Sequence, residues 1–361
     1  MSLIRRLPDG PLDIVGDVHG ELDALHELLR QLGYGAGGTH PDGRLLVFLG
    51  DLCDRGPDSP GVFTLVRSLV ESDRACCLLG NHEMNLLRLA RKQGNGWAWP
   101  EPEDHDLRHG GFGNCRRLDA AGRDELFAFI RGLPLALERE DLRIVHACWH
   151  APAIEAVRTH GVSDPIALYR QVERDILQRL DGTPLGEQAR LEEQAFDAIA
   201  TDPDRPPPPV PNLTRRDELY QNGNTVRAIT SGIEQPAVRP FFNTGKWRLL
   251  HRVRWWEDYR DPVPVVFGHY WRVPQGMAQP EHKGVSNLFD GYAESAWLGP
   301  RGLGFCVDYC VGVRFIERQQ GVVDRFQGRL AALRWPEAEL VMDDGRRTET
   351  VPGRATMPAS A

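Results

Sequence analysis

The chain has 361 residues, of which 41% are hydrophobic and 26% charged, and a formal net charge of −8 at pH 7. This composition is typical of a globular protein, and the acidic balance argues against a broad nucleic-acid-binding surface. We therefore expect no stable nucleic-acid partner. No apolar run approaches the ~20 residues of a membrane span, so we expect no membrane partner. Seven scattered cysteines without C-x-x-C spacing predict reduced thiols and a cytoplasmic location.

Six short apolar runs are each followed at once by polar residues. Continuous apolar runs of this length favour strands that are covered on both faces. A leucine stripe over 22–32 predicts an amphipathic helix between the first two runs, and a second helix is predicted after Pro57 and Pro60. This alternation predicts an α/β fold with right-handed crossovers. The runs are LDIVGDVHG (12–20), LLVFLGD (45–51), ACCLLGNHE (75–83), LRIVHA (142–147), VPVVFGH (263–269) and GFCVDY (304–309).

The middle of the chain has a different character from its two ends. Residues 165–200 are predicted to form polar helices, and the run DPDRPPPPVP (202–211) favours extended polyproline backbone. The segment GRLAALRWPEAELVMDDG (328–345) predicts two strands, or a strand and a turn. We interpret the chain as one α/β domain made of 1–150 and 263–345, an insertion or cap at 151–262, and a disordered tail at 346–361.

Polar side chains follow the carboxyl ends of five of the six runs. In open α/β sheets, sites form just beyond the carboxyl ends of the strands. These oxygen and nitrogen donors suit Mn²⁺, Fe or Zn²⁺ better than a structural cysteine-type zinc site. Such a set can hold two metal ions when one carboxylate is shared. The side chains are Asp17 and His19, then Asp51, Asp54 and Arg55, then Asn81 and His82, then His146, and last His269.

The run FLGDLCDRG (48–56) combines a strand end with charged groups. We expect Asp51 to be the shared carboxylate, because a residue at this strand end can reach both ions. Gly50 leaves room for a close approach of backbone. The planar guanidinium of Arg55 is suited to clamping a phosphate.

Five motifs in this order resemble those of the calcineurin-like metallophosphoesterases, in the phosphoprotein phosphatase branch. The family pattern GDxHG, GDxxDRG, GNHE/D, HAG and GH corresponds to 16–20, 50–56, 80–83, 146–148 and 268–269. Within the branch, the chain is most similar to bacterial diadenosine-tetraphosphatase-like enzymes and to the phosphatase module of bacterial polynucleotide kinase–phosphatases. His109 and Gly110 are similar to a histidine-glycine pair that some of these enzymes carry.

The resemblance implies a fold, a cofactor and a set of metal ligands. The fold is a β-sheet sandwich flanked by helices, here with a helical or irregular insertion. The cofactor is a pair of divalent metal ions, with Mn²⁺ expected and Fe or Zn²⁺ as alternatives. The implied ligands are Asp17 and His19 for the first ion, Asn81, His146 and His269 for the second, and Asp51 for both.

The resemblance also implies a catalytic histidine, His82, oriented by Asp54, and a phosphate-holding arginine, Arg55. Two divalent ions would lower the pKa of a bridging water, and the resulting hydroxide would attack phosphorus in line with the leaving oxygen. His82 would then protonate the leaving group. We expect a hydrolase of phosphomonoesters or nucleoside polyphosphates. A serine/threonine protein phosphatase is the alternative, and a catalytically inactive scaffold that binds nucleotide or phosphoprotein is a third hypothesis.

Three further positions have two interpretations each. The basic and aromatic stretch KWRLLHRVRWW (246–256) could stack a base and bind phosphate through Arg252 or Arg254, or it could pack on the core with a solvated basic face. Asp308 could contact substrate or cap a loop. Cys148 stands where the family has glycine, which leaves the local geometry open.

The substrate would be a phosphorylated small molecule, a nucleotide or a phosphoprotein.

Overall fold

The computed structural model describes residues 2–92, 94–99, 115–243, 245–274, 276–277 and 287–353. His109 and Gly110 lie outside the described residues. All seven cysteines lie within them and are free. No helix in these ranges is long and apolar enough to cross a membrane.

Short strands make up the centre of the fold. All six apolar runs contain a strand, so these six sequence predictions are confirmed. The strands are β1 (Ile4–Arg6), β2 (Leu12–Val15), β3 (Leu45–Phe48), β4 (Ala75–Cys77), β5 (Ala136–Arg139), β6 (Leu142–Val145), β7 (Glu234–Asn243), β8 (Lys246–Arg252), β9 (Val265–Phe267), β10 (Gly304–Cys306), β11 (Ala331–Trp335), β12 (Glu339–Met342) and β13 (Arg347–Glu349).

The strands form two larger sheets and one hairpin. The first sheet has the order β1-β5-β6-β9-β10, the second has the order β13-β12-β11-β2-β3-β4, and β7 pairs with β8. Strands β2, β3 and β4 run parallel, as do β6, β9 and β10. Side chains of both sheets share one buried cluster, which includes Ile14, Val47, Ile144, Val266 and Phe305. The protein is therefore an α/β sandwich of two sheets, as the sequence predicts.

Helices flank the sheets, and their ends follow from the sequence. The leucine stripe of α1 is buried, and Gly33 ends the helix with a left-handed backbone. Asp58 caps α2 by accepting a hydrogen bond from the backbone of Gly61. The helices are α1 (Leu22–Leu32), α2 (Ser59–Glu71), α3 (Asn81–Leu87), α4 (Ala120–Arg131), α5 (Ala151–His160), α6 (Pro165–Leu180), α7 (Pro184–Asp197), α8 (Pro211–Gly223), α9 (Thr225–Ser231) and α10 (Arg314–Gln319).

The 151–262 segment contains helices α5 to α9 and the β7–β8 hairpin. Helices α6 and α7 confirm the polar helices predicted over 165–200. Helix α9 packs against α3 and α5. The backbone oxygen of Ile229 in α9 accepts hydrogen bonds from Ala147 and Cys148, at the end of β6. The segment is thus attached directly to the strand end that carries His146.

Several strands are not predicted from the sequence because they lack a continuous apolar run. Strands β1 and β5 read IRR and ALER, and the β7–β8 hairpin is largely polar. The predicted disordered tail at 346–361 is wrong in its first part. Arg347–Glu349 forms β13 and pairs with β12, because the turn at 343–346 returns the chain along that strand. Strands β11 and β12 confirm the two strands predicted over 328–345.

A buried ion network anchors β2, the strand that leads to Asp17. Asp13 is fully buried, and its carboxylate accepts hydrogen bonds from the Tyr34 hydroxyl at 2.9 Å, Arg44 Nε at 3.1 Å and Arg334 Nε at 3.0 Å. These partners come from the loop after α1, the start of β3 and β11. One carboxylate therefore joins three neighbouring parts of the second sheet.

Removal of this carboxylate should destabilise the fold strongly. In Asp13→Ala, the largely buried guanidinium of Arg334 loses its counter-charge, and Arg44 keeps only its ion pair with Glu337. We expect the free energy of unfolding to fall by about 3–5 kcal/mol. Urea denaturation followed by circular dichroism measures the change. The control is Asp9→Ala, which breaks an exposed ion pair with Arg6 and should leave stability nearly unchanged. Equal effects of the two changes would contradict the anchoring role of Asp13.

Candidate dimetal active site

The ends of strands from both sheets bring the polar residues of the motifs together around the carboxylate of Asp51. Asp51 Oδ2 lies 3.9 Å from His19 Nε2 and 3.9 Å from His82 Nε2. Its other oxygen, Oδ1, lies 3.4 Å from His146 Nε2. Asp51 therefore lies between two groups of side chains, with His19 nearer to one oxygen and His146 nearer to the other.

The first group lies at the ends of β2 and β3. His19 Nε2 is 4.0 Å from Asp17 Oδ2, and His19 Nδ1 lies 2.9 Å from the backbone oxygen of Cys53. The contact with Cys53 orients the ring, so that Nε2 faces the carboxylates. The side chains of Asp17, His19 and Asp51 are all buried.

The second group lies at the ends of β4, β6 and β9. The side-chain amide of Asn81 lies 2.7 Å from His269 Nδ1, 3.2 Å from His146 Nε2 and 3.2 Å from Asp51 Oδ2. His146 Nδ1 lies 2.9 Å from the backbone oxygen of Leu49, which leaves Nε2 directed at this group. Four potential ligand atoms from four separate elements thus converge on one small volume.

The donor chemistry of both groups fits divalent metal ions. Carboxylate and amide oxygens and imidazole nitrogens together suit Mn²⁺, Fe or Zn²⁺. Among the described residues, two sets of three side chains have ligand atoms within 4.8 Å of one another: Asp51, His146 and His269, and His19, Asp51 and His82. Asp51 belongs to both sets, as a residue that bridges two ions must.

Burial and the close spacing of ionisable groups shift the pKa values of several site residues. Burial and the nearby Asp308 carboxylate raise the pKa of Asp17 well above its ordinary value. Although burial opposes it, the Asp51 carboxylate raises the pKa of His146 to about 10. Burial lowers the pKa values of His19 and His269 well below the ordinary value, so these imidazoles are neutral, as metal binding requires.

A chain of hydrogen bonds holds His82. Its Nδ1 lies 2.6 Å from Asp54 Oδ2, and the Trp97 indole donates to Asp54 Oδ1 at 2.7 Å. Although burial opposes it, the carboxylates of Asp51 and Asp54 raise the pKa of His82 above its ordinary value. A histidine with a raised pKa holds a proton near neutral pH and can donate it. The role of Trp97 is not predicted from the sequence because the residue belongs to none of the five motifs.

Arg55 is partly buried at the same edge of the site. Its Nη1 lies 2.8 Å from His19 Nε2, its Nη2 lies 3.4 Å from His82 Nε2, and its guanidinium stacks on the Trp271 ring at 4.9 Å. Asp308, one of the residues with two interpretations, accepts hydrogen bonds from the backbone of Trp271 at 2.9 Å and of Cys310 at 3.0 Å. These contacts favour the loop-capping interpretation of Asp308.

The backbone of the site residues is unusual. His19, Asp51, Asp54, Arg55 and His269 have φ angles between 47° and 71°, in the left-handed region that side-chain-bearing residues seldom adopt. Such conformations cost free energy and cluster at functional sites, where the surrounding structure enforces them. At His19, Asp51 and His269 the chain turns sharply shortly after a strand, which directs the side chain into the shared volume.

Two glycines and a glutamate enforce these turns. A Cβ atom at Gly50 would lie 2.5 Å from the backbone nitrogen of Gly80, which confirms the predicted close approach of backbone. The buried carboxylate of Glu83 accepts hydrogen bonds from the backbone of Asp51 at 2.8 Å, Leu52 at 2.9 Å and Gly80 at 3.0 Å. Glu83 thus ties the end of β3 to the start of α3 and fixes Asp51 from behind.

The remaining residues with two interpretations lie at different distances from the site. Arg252 donates from Nη1 to the backbone oxygen of His269 at 2.8 Å, so it lies beside the second group. Arg254 donates to the backbone oxygens of Asn287 at 2.7 Å and Asp290 at 3.4 Å. Cys148 is buried in the core. The cysteine side chain is therefore accommodated away from solvent.

A comparison with protein families agrees with this geometry. Residues 10–177 match the family model described as calcineurin-like phosphoesterase. This part of the chain is therefore similar to calcineurin-like phosphoesterases. The matched range includes the motifs of Asp17, Asp51, Asn81 and His146, whereas His269 reaches the site from outside it.

Curated relatives match parts of the chain. The chain is 51% identical over 79 residues to an asymmetrical bis(5'-nucleosyl)-tetraphosphatase of Halalkalibacterium halodurans, which covers 21% of this chain and 32% of the relative. It is 35% identical over 161 residues to a symmetrical bis(5'-nucleosyl)-tetraphosphatase of a Janthinobacterium species, which covers 44% and 48%. The chain thus spans less than half the length of each of these two relatives.

Among solved structures, a cold-active protein-tyrosine phosphatase of a psychrophilic Shewanella species is similar to this chain. The two share 15% sequence identity and align with a TM-score of 0.47 over 96% of this chain and 82% of the phosphatase.

His82 can be tested apart from the metal ligands. In His82→Ala we expect metal content to be retained and kcat to fall by roughly 10²–10⁴-fold, because general acid catalysis contributes about that much. The loss should shrink for p-nitrophenyl phosphate, whose leaving group needs little protonation. A fall to one metal ion per chain, measured by elemental analysis, would show that His82 is a ligand instead.

The change Trp97→Phe removes only the hydrogen bond from the Trp97 indole to Asp54, and leaves the contact between Asp54 and His82 in place. Asp54 loses one donor, so the pKa of His82 should change and the pH profile of kcat should shift. The matched control is Trp297→Phe, which removes an indole hydrogen bond to Thr350 outside the site. A pH profile that moves equally in both variants would contradict a positioning role for Trp97.

Proposed function

We propose that the chain is a phosphoesterase that uses two divalent metal ions, Mn²⁺ foremost, to hydrolyse phosphomonoesters or nucleoside polyphosphates. The observation that carries the proposal is the position of Asp51. Its two oxygens face two groups of ligand atoms, at 3.9 Å from His19 and 3.4 Å from His146. A carboxylate shared in this way is typical of two-metal phosphoesterase sites.

The proposed ligands follow from the two groups. Asp17, His19 and Asp51 hold the first ion, and the second is held by Asp51 together with Asn81, His146 and His269. When bound, the two ions supply an activated water and neutralise charge on the phosphoryl oxygens. The residues behind the ligands, Cys53 and Leu49, orient the imidazoles through their backbone oxygens.

The other site residues handle the phosphoryl group and the proton. Arg55, stacked on Trp271, presents its guanidinium where it can hold a phosphoryl oxygen. His82 gives the proton on Nε2 to the leaving oxygen, while Asp54 holds Nδ1 and stabilises the ring. Water adds to phosphorus, the P–O bond to the leaving group breaks, and the products are a phosphate and an alcohol or a shorter polyphosphate.

Nucleoside polyphosphates are the substrate class that we favour. The curated relatives reported above are named bis(5'-nucleosyl)-tetraphosphatases. The range that matches the family model, 10–177, contains the motifs of Asp17 and Asp51. The protein phosphatase hypothesis uses the same site, and the substrate panel below separates the two.

The proposal is tested by activity with and without metal. The protein is depleted with a chelator and then supplied with Mn²⁺, Fe²⁺, Zn²⁺ or Mg²⁺. We expect hydrolysis of p-nitrophenyl phosphate to return with Mn²⁺, and the panel then compares diadenosine tetraphosphate, a phosphoserine peptide and a 3'-phosphorylated oligonucleotide.

The nucleotide should have the highest kcat/KM of the panel. A higher value for the phosphopeptide would instead support a protein phosphatase. If the protein hydrolyses none of these substrates with any of the four ions, the result contradicts the proposal and favours the inactive scaffold.

A further inference from the structure

A row of basic side chains leads away from the metal site along β8. Side chains two residues apart in a strand point to the same face, so Lys246, Arg248 and Arg252 share one face of β8. Arg252 is the inner end of the row, because its guanidinium donates to the backbone oxygen of His269 at 2.8 Å. At about 3.3 Å per residue, the row extends roughly 20 Å from Arg252 to Lys246.

The turn and loop that follow helix α3, together with α9, add three more cations to this row. Arg88 and Lys92 follow the start of α3, where Asn81 and His82 belong to the metal site. Arg227 of α9 lies 5.4 Å from the Tyr169 ring, and Arg88 lies 4.7 Å from the same ring. The Tyr169 hydroxyl accepts a hydrogen bond from Arg227 Nε at 2.8 Å. Tyr169 thus holds two guanidinium groups near each other.

We call these six cations the basic row. They are Arg88, Lys92, Arg227, Lys246, Arg248 and Arg252. Burial and the neighbouring charges of Arg88, Arg248 and Arg227 lower the pKa of Lys92. Burial, Arg248 and Lys92 lower the pKa of Lys246 to about 8. Among the described residues, no ion pair or hydrogen bond holds either ammonium group. The cations repel one another, and an anion would relieve this repulsion.

Carboxylates offset the row only in part. Within the described residues, the acids near these cations include Glu173, which forms an ion pair with Arg227 at 3.6 Å, and Asp197, Asp217 and Glu234. Asp217 also pairs with Arg216, so less of its charge is left for the row. The chain as a whole carries a net charge of −8, which makes a local excess of positive charge informative.

We propose that the basic row binds the successive phosphates of a polyphosphate chain whose reacting phosphoryl group lies at the metal site. This inference rests on the proposed function and narrows its substrate class to chains of three or more linked phosphates, either inorganic or carrying a nucleoside. A row of roughly 20 Å is much longer than one phosphoryl group requires. Successive cations match the repeated charge of such a chain.

A nucleic-acid strand fits the row less well, because the bases would lack stacking partners. Sites for single strands combine cations with exposed aromatic rings. Trp247 lies on the opposite face of β8, and its indole donates to the backbone oxygen of Asp202 at 2.8 Å. Trp255 and Trp256 are buried in the core. The base-stacking interpretation of the 246–256 stretch is therefore wrong for these three rings, while the phosphate-binding part of that interpretation is retained.

The test measures binding in the absence of turnover. Full-length protein, depleted of metal, is titrated calorimetrically with inorganic tetrapolyphosphate and with orthophosphate. We expect tetrapolyphosphate to bind more tightly, and Lys92→Gln/Lys246→Gln/Arg248→Gln to weaken its binding roughly tenfold or more. The single change Lys246→Gln should weaken it by a smaller factor. Lys246 is the first residue of β8, at the end of the strand far from the metal site, so this change carries little risk to folding.

A charge-matched control separates the row from general electrostatics. Arg6→Gln/Arg30→Gln/Arg347→Gln also removes three positive charges, from exposed positions on β1, α1 and β13. This control should bind tetrapolyphosphate as the unmodified protein does. With Mn²⁺ restored, the ratio of kcat/KM for diadenosine tetraphosphate over p-nitrophenyl phosphate should fall roughly tenfold in the triple row variant only.

Three outcomes would overturn the inference. They are equal affinity of the row variant and the unmodified protein for tetrapolyphosphate, equal weakening in the charge-matched control, and stronger row-dependent binding of an acidic phosphopeptide. The proposed function fails separately, if the unmodified protein binds tetrapolyphosphate through the row yet hydrolyses no phosphoester with any metal ion.

Discussion

The site depends on one buried carboxylate that has to serve two sides at once. Asp51 faces His19 and His82 with one oxygen and His146 with the other. A buried carboxylate is stable only when cations or hydrogen bonds compensate it. Backbone amides and imidazoles provide part of this compensation, and the two divalent ions that we propose would provide the rest. The sharp turns around Asp51 keep these groups close to the carboxylate.

The sandwich architecture brings the other site residues close to Asp51. Parallel strands of both sheets end at one edge, so side chains from the ends of β2, β3, β4, β6, β9 and β10 meet there. Left-handed backbone at His19, Asp51 and His269 turns each strand end inward. The free-energy cost of this left-handed backbone is offset by buried hydrogen bonds. Three of them are donated by backbone on both sides of the site to the carboxylate of Glu83. Stability and function are therefore linked through the same loops.

Much of the sandwich and the convergence of the motifs could be predicted, because both leave local marks in the sequence. Apolar runs that end in Asp, Asn or His reveal a strand and its functional end together. Trp97 and Glu83 could not be assigned in the same way, since their roles depend on Asp54 and Asp51, which are distant in sequence from them. The polar strands β1, β7 and β8 lack the apolar run, and only tertiary pairing makes them strands. The basic row is likewise assembled from three separate elements.

The most direct test of the account is a crystal structure of the protein with Mn²⁺, with anomalous scattering recorded near the manganese edge. We expect two anomalous peaks about 3.5–4 Å apart, one on each side of the Asp51 carboxylate, with Asp17 and His19 at one peak and Asn81, His146 and His269 at the other. A single peak in protein saturated with Mn²⁺, or two peaks that do not share Asp51, would contradict the central claim.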